Sequence, residues 1–272
     1  MKYSTATSVL QNFSLEDAIE TVSEIGFDAI DAWCGRPHLF RRDYSQEQVI
    51  ALGRRIGEEK LAIASVMPAF FRYPFSLASP METIGADSVA YMKDCIDYAV
   101  LMGAKSVLIV PTTNLLKQTP AQARAIFLNN IGPVCEYAQE KGILLGLEVL
   151  NNKISSFVHK TQHALDLIRD LQCDQVGIVL DTGHINLSEE SFEAAFDLAG
   201  EKLMQIHIND NNGKEQQNAI PGTGNFDFAA MGKVLCHENY TGFLSLELGG
   251  QYAADPVPAL QAALTAAKQL IG

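Results

Sequence analysis

Residues 144–184 read LLGLEVLNNKISSFVHKTQHALDLIRDLQCDQVGIVLDTGH. Two short apolar runs, Leu144–Leu147 and Val176–Leu180, flank a longer stretch, Thr161–Leu171, whose apolar residues recur at helical spacing. Neither run alternates polar with apolar, so each reads as a strand covered on both faces. Two such strands joined by a helix form a parallel strand–helix–strand unit. Each run also meets an acid, Glu148 after the first and Asp181 after the second.

The same alternation extends in both directions. Further candidate strands are Tyr3–Val9, Ala29–Trp33, Ala62–Met67, Ser106–Val110, Met204–Ile208 and Phe243–Leu246. Helical stretches lie near Leu15–Ile25, Gln46–Glu59, Thr83–Met102, Pro120–Lys141, Ser191–Gly200, Phe228–His237 and Pro256–Ile271. Ser14, Ser45, Thr119-Pro120 and Asp227 stand where helix N-caps belong, and Gly26, Gly103, Gly142 and Gly242 where helices end. Eight strand–helix units predict a single (β/α)8 TIM barrel occupying residues 1–272 as one domain. A doubly wound open sheet would favour a glycine-rich phosphate turn after the first strand. The segment SVLQNFSLED has neither such turn pattern.

Composition bounds the function. The 272 residues are 47% hydrophobic and 19% charged, which excludes disordered and fibrous classes. Twenty basic and 32 acidic residues leave a formal charge of −12, which argues against nucleic acid as a partner. A small anionic substrate in a locally positive pocket remains compatible with that charge. Cys34, Cys95, Cys135, Cys173 and Cys236 are odd in number, scattered and without a CxxC pair. They read as reduced thiols instead of a disulfide or zinc framework. The first residues lack the apolar core of a signal peptide, and the apolar runs are far short of a membrane span. The expectation is a soluble cytoplasmic protein with no membrane partner.

In a TIM barrel the chemistry sits at the C-terminal strand ends. There the chain places Glu148 in LGLEVLNN, Asp181 and His184 in GIVLDTGH, His207, Asn209 and Asp210 in QIHIND, and Glu247 in LSLELGG. Asp181 follows Glu148 by 33 residues, His207 follows Asp181 by 26, and Glu247 follows His207 by 40. Each interval is about one strand–helix unit, so Glu148, Asp181, His207 and Glu247 should converge. Asp181 alone would read as a helix cap, but four metal-capable residues at matched positions read as a site. Acids at the ends of apolar strands are costly unless paired or metal-bound. With no lysine or arginine at the same strand ends, a divalent cation resolves the repulsion. Oxygen-rich ligation with one nitrogen favours Mn²⁺, with Mg²⁺, Co²⁺ and Zn²⁺ also compatible.

The pieces LEVLNN, LDTGH, HINDNNG, IPGTGNFDF and LSLE, taken together, resemble the xylose-isomerase-like sugar isomerase/epimerase superfamily. Within it the chain is more similar to the ketose 3-epimerase branch. AWCGRPHLF, FRYPFS and the IPGTG run point within that branch to the fructoselysine 3-epimerases. The resemblance implies a Mn²⁺-type ion held by Glu148, Asp181, His207 and Glu247. It further implies Glu148 and Glu247 as the acid/base pair on opposite faces of a sugar substrate, and a homo-oligomer. His184, three residues after the metal aspartate, takes the place of a substrate-contacting histidine. The chain departs from the branch where a second glutamate is usual, at Ile154, and where an arginine is common, at Gly213 with Lys214 next. Endonuclease IV-type repair enzymes share some of these pieces, but they need additional histidines where this chain reads GKEQQNAIPGTG.

Epimerisation beside a carbonyl needs a proton taken from one face and returned on the other, with the enolate stabilised between. The function expected is divalent-metal-dependent epimerisation of a ketose or ketose derivative at C3 through an ene-diolate, with Glu148 and Glu247 exchanging roles. Aldose–ketose isomerisation uses the same parts. The alternative is an inosose-type dehydratase on the same metal site. Arg36 and His38, on the loop after the second strand, are candidate substrate-binding groups. Trp33 and Phe71 are candidates for an apolar wall against a sugar face, and Pro221, Gly222 and Gly224 for a tight turn over the site. His159, His163 and His237 read as outer-ring residues.

Overall fold

A computed structural model describes residues 1–40, 43–112, 117–188 and 190–272. Parallel strands β1 (Lys2–Ala6), β2 (Ala29–Cys34), β3 (Ala62–Pro68), β4 (Ser106–Ile109), β5 (Leu144–Glu148), β6 (Val176–Asp181), β7 (Leu203–Ile208) and β8 (Phe243–Leu246) follow one another around a closed barrel. The pairing of β8 with β1 closes it. Around it, among the described residues, run α1 (Leu15–Ile25), α2 (Gln46–Glu58), α3 (Glu82–Met102), α4 (Pro120–Lys141), α5 (Thr161–Leu171), α6 (Thr182–Asn186), α7 (Phe192–Ala199), α8 (Phe228–His237) and α9 (Pro256–Ile271). The TIM barrel expected from the alternation is therefore present. Among the described residues, no helix is long and apolar enough to cross a membrane.

The local signals act as expected at most ends. Ser14 and Asp227 accept the N3 backbone N–H of α1 and α8, and Ser45 and Thr119 form reciprocal capping boxes with Gln48 and Gln122. Gly26, Gly103 and Gly142 end α1, α3 and α4 in the left-handed region. Gly242 does not end α8, which stops at His237. Its carbonyl instead accepts the N–H of Lys2 where β8 begins.

The first strand is also shorter than its apolar run. Ladder pairing with β2 ends at Ala6, and Thr7–Leu10 curl into a 3₁₀ turn. The reason is a side chain: Thr7 Oγ1 accepts the N–H of Trp33 at 3.0 Å and contacts His38 Nδ1 at 3.1 Å. One helix absent from the sequence reading, α6, begins directly after β6 and carries His184.

The core has two parts. Outside the barrel, fully buried Ile19, Met92, Ile96 and Phe127 pack helices onto strands. Each such side chain stabilises the fold by about 1.5–3 kcal/mol. Inside, successive residues on a strand face opposite ways, so residues two apart line the interior in layers. A polar layer lies there: buried Asp31 on β2 accepts from Ser65 Oγ at 2.6 Å, Gln205 Nε2 at 2.7 Å and Ser245 Oγ at 2.5 Å. Gln205 and Ser245 stand two residues before His207 and Glu247, so this layer sits directly beneath them.

Candidate metal centre

Strand register brings the four strand-end residues to one level. Asp181 on β6 is the ladder partner of His207 on β7, and His207 of Ser245 on β8, two residues before Glu247. Glu148 ends β5 beside β6. One ligand atom from each of Glu148, Asp181, His207 and Glu247 lies within 4.8 Å of the others. His207 Nδ1 is 3.1 Å from Glu148 Oε1 and 3.2 Å from Glu247 Oε2. Glu148, Asp181 and His207 are buried, and Glu247 is partly open to the cavity above.

The electrostatics describe a site with excess negative charge. Burial pushes the Asp181 carboxyl up to about 6, with Glu148 and Glu247 adding to the rise. Burial alone would lower His207, but hydrogen bonds to Glu148 and Glu247 override it and raise it well above the ordinary histidine value. Burial opposes ionisation of Glu247, but its bond to His207 draws it down. A single Nδ1 proton faces two carboxylates while a third carboxylate stands nearby. A divalent cation in place of that proton would satisfy all four donors at once, and three oxygens with one imidazole nitrogen are a donor set that suits a divalent ion. The residues present therefore fit the group that the sequence implied.

Neighbouring side chains hold these donors. Asp181 Oδ1 accepts the backbone N–H of His184 at 2.8 Å, and Oδ2 accepts from Asn209 Nδ2 at 2.8 Å. Asp181 is thus both the cap of α6 and a member of the cluster. Thr182 Oγ1 donates to Asn209 O at 2.6 Å and accepts from Asn209 N at 3.0 Å, locking the ends of β6 and β7 together. Gly183 is required by this approach: a Cβ there would lie 2.0 Å from Asn209 Oδ1. His184 is buried and reaches the amide of Asn151 through Nδ1 at 3.0 Å. Asp210 organises the following loop, accepting N–H bonds from Gly222 and Gly224 through Oδ2 and from Phe226 through Oδ1. A turn is present at Pro221, Gly222 and Gly224, anchored by Asp210, but these residues do not line the cavity above the cluster.

A cavity of about 260 Å³ opens above the cluster, lined by Glu148 and Glu247 at one end and by Trp33, Met67 and Phe71 along an apolar wall. Phe71 is 64% exposed. Arg36 and His38 do not line this cavity. The Arg36 side chain is 61% exposed and bound to Asp43, with its guanidinium over the Phe40 ring. His38 is fully buried against Thr7, at the edge of Trp33. His159 and His163 pack edge to face beside a separate cavity, and His237 is exposed beside Glu238. Asn209 and Asp210 stand out in sequence at the end of the seventh strand but without a role, and Thr182 and Asn151 do not stand out at all. Their signal is weak, since Asn and Asp after a strand ordinarily signify only a turn.

The family model described as xylose isomerase-like TIM barrel matches residues 19–270. The chain belongs to this family. It is 26% identical over 256 residues to the fructoselysine 3-epimerase of Shigella flexneri, covering 94% of this chain and 93% of that one. It is 26% identical over 236 residues to the D-psicose 3-epimerase of Enterocloster bolteae, covering 84% and 75%. Among solved structures, D-psicose 3-epimerase with D-tagatose from Clostridium cellulolyticum H10 superposes with a TM-score of 0.81 at 19% identity, covering 100% of this chain and 99% of that one. The IOLI protein with a binding zinc atom gives 0.82 at 19% identity, covering 100% and 98%. At these identities the structural likeness establishes the shared barrel.

Proposed function

We propose that this chain is a divalent-metal-dependent epimerase of a ketose or ketose derivative, acting at C3. The observation that carries the proposal is the placement of two carboxylates, Glu148 and Glu247, at 3.1 and 3.2 Å from His207 Nδ1, both lining one cavity. The 3-epimerase relatives support the same reading. Glu148, Asp181, His207 and Glu247 would hold the ion, with Mn²⁺ the preferred occupant. When bound, that ion polarises the ketose carbonyl and lowers the cost of enolate charge.

This chain's own residues do the rest. One glutamate accepts the C3 proton as the electron pair moves toward the C2 carbonyl, giving an ene-diolate. The other donates a proton to the opposite face of C3. For the reverse epimer the two exchange roles. Asp181 and His207 hold the cluster in register, and Asn209 fixes the orientation of Asp181. His184, on the turn capped by Asp181, is assigned the substrate-contact role that the resemblance implies, although it does not line the cavity and its Nδ1 is engaged by Asn151. Trp33 and Phe71 offer apolar surface to a sugar face. Arg36 acts through the loop, by its bond to Asp43, instead of through the cavity, and His38 acts by bracing Thr7.

The setting we propose is the cytoplasm, supported by five free thiols, with a sugar as the partner, no nucleic acid, and a homo-oligomeric assembly. Incubating the Mn²⁺-loaded enzyme with ketoses in deuterium oxide tests the chemistry. The expected product has unchanged formula and carries deuterium at C3. Loss of water from the substrate would instead assign a dehydratase.

A further inference from the structure

The cavity above the cluster has a charged rim that the proton-transfer chemistry does not use. Among the described residues, Arg72 is the one cationic side chain lining it. Arg36, Arg55, Arg124 and Arg169 are each paired with a carboxylate. Arg72 is exposed and makes no ion pair among the described residues. The other titratable groups lining the cavity are Glu148, which is buried, and Glu247, which is half-buried, so the acids sit deeper than exposed Arg72.

The turn that carries Arg72 is held on both sides. The N–H groups of Arg72 and Tyr73 both donate to Ala69 O, at 3.0 and 3.3 Å. Ala69 N in turn donates to the buried Tyr91 hydroxyl at 2.8 Å, and that hydroxyl donates to Cys34 O. Tyr73 stacks on Phe40 with ring centroids 4.4 Å apart, and its hydroxyl accepts the N–H of Arg36 at 2.9 Å. The backbone on either side of the guanidinium is therefore fixed, while the side chain itself makes no ion pair among the described residues.

Charge along the cavity is polarised. Three carboxylates gather at the floor and outnumber the charge of one divalent ion, so an anionic group on a ligand is repelled there. The chain as a whole carries −12, which makes an unpaired cation at this rim the local exception. A guanidinium binds phosphate or carboxylate through paired N–H donors. The cavity, about 260 Å³, is just below the usual range of roughly 300–1,000 Å³ for drug-sized ligands, and so suits a single small metabolite.

We propose that Arg72 receives a terminal phosphate or carboxylate of the substrate, so that the enzyme acts on an anionic ketose derivative whose C2–C3 end faces Glu148 and Glu247. The proposal rests on the reading of the site as a ketose epimerase and adds the substrate class.

A matched set tests it: D-fructose, D-fructose 6-phosphate and D-fructuronate, which differ only in the group at C6. Turnover and calorimetric binding are measured for the Mn²⁺-loaded wild type, Arg72→Gln and Arg72→Lys. The wild type should favour at least one anion over fructose by about tenfold or more in kcat/KM, the size expected of a charge-assisted hydrogen bond. Arg72→Gln should remove most of that ratio through KM, Arg72→Lys should retain part of it, and added salt should shrink it. Whichever anion is preferred names the source of the negative charge. Fructose turned over with no anion preference, or a ratio unchanged in Arg72→Gln, overturns the role of Arg72 and leaves the epimerase reading intact. Arg72-dependent anion binding without epimerisation of any of the three supports the role and overturns the epimerase reading. Binding of neither anion above fructose overturns the role.

Discussion

Asp181 Oδ2 accepts a hydrogen bond from Asn209 Nδ2 at 2.8 Å, tying the end of β6 to the loop after β7. The same carboxylate caps α6 through its other oxygen. Its orientation is therefore set by the protein before any ion arrives. Removing one such orienting partner typically weakens metal affinity about 10–100-fold. Asn209→Ala should do so here, with a melting temperature in the metal-free form shifted by only a few degrees. Mn²⁺ titration followed calorimetrically checks this. Unchanged affinity would mean that Asp181 is positioned by its backbone alone.

The cluster as a whole should make stability depend on metal. At free metal a hundredfold above Kd, selective binding to the folded state stabilises it by about 2.7 kcal/mol. For a chain of this size that corresponds to a rise in Tm of roughly 5–10 °C. Chelation should reverse the shift and abolish activity, and Mn²⁺ should restore both. Calorimetric melts with and without chelator, paired with metal analysis of the active enzyme, provide the check.

His38 should make the fold acid-sensitive independently of metal. Burial lowers its ring to about 4, with the carbonyls of Phe13 and Leu10 opposing the shift only in part. In the unfolded chain it titrates near 6.5, so between about 4 and 6.5 the unfolded state binds the extra proton. Stability from a neutral His38 is therefore complete above about 6.5 and is lost as pH falls toward 4. The upper bound is on the order of 3 kcal/mol. Denaturant melts of metal-free protein at pH 7 and pH 5 should show this slope, and His38→Gln should flatten it. An equal slope in both proteins would place the acid sensitivity elsewhere.

The barrel closes by pairing the first strand with the last, so we propose that residues 1–272 unfold as one unit. Limited proteolysis should give all-or-none loss of the intact chain. A stable half-sized fragment would contradict it.

Much of this was legible in residues 144–184 and their counterparts. Continuous apolar strands, helical spacing between them and well-placed caps define a barrel. One metal-capable residue per unit then converges because the units are geometrically equivalent, as Glu148, Asp181, His207 and Glu247 do. What sequence could not show depends on contacts between distant segments. Thr7 turns the chain out of β1 because its hydroxyl meets Trp33, 26 residues away. Asp31, inside the apolar run Ala29–Trp33, finds its partners Ser65, Gln205 and Ser245 only on distant strands. Arg36 and His38 share a loop that the linear order places at the active face. Asp43 and Thr7 take their polar groups instead.

Epimer-specific exchange reports whether Glu148 and Glu247 each transfer a proton at C3. Glu148→Gln and Glu247→Gln, both shown to retain Mn²⁺, are supplied separately with each of a pair of C3 epimers in deuterium oxide, and the initial rate of deuterium entry at C3 is measured. Glutamine keeps the size and one ligand oxygen but cannot accept the proton, and such catalysis is worth about 10²–10⁴-fold. Turnover should fall by that order in both variants, with one variant losing exchange chiefly from one epimer and the other variant chiefly from the opposite epimer. Near-wild-type turnover in both, with metal bound, would contradict it.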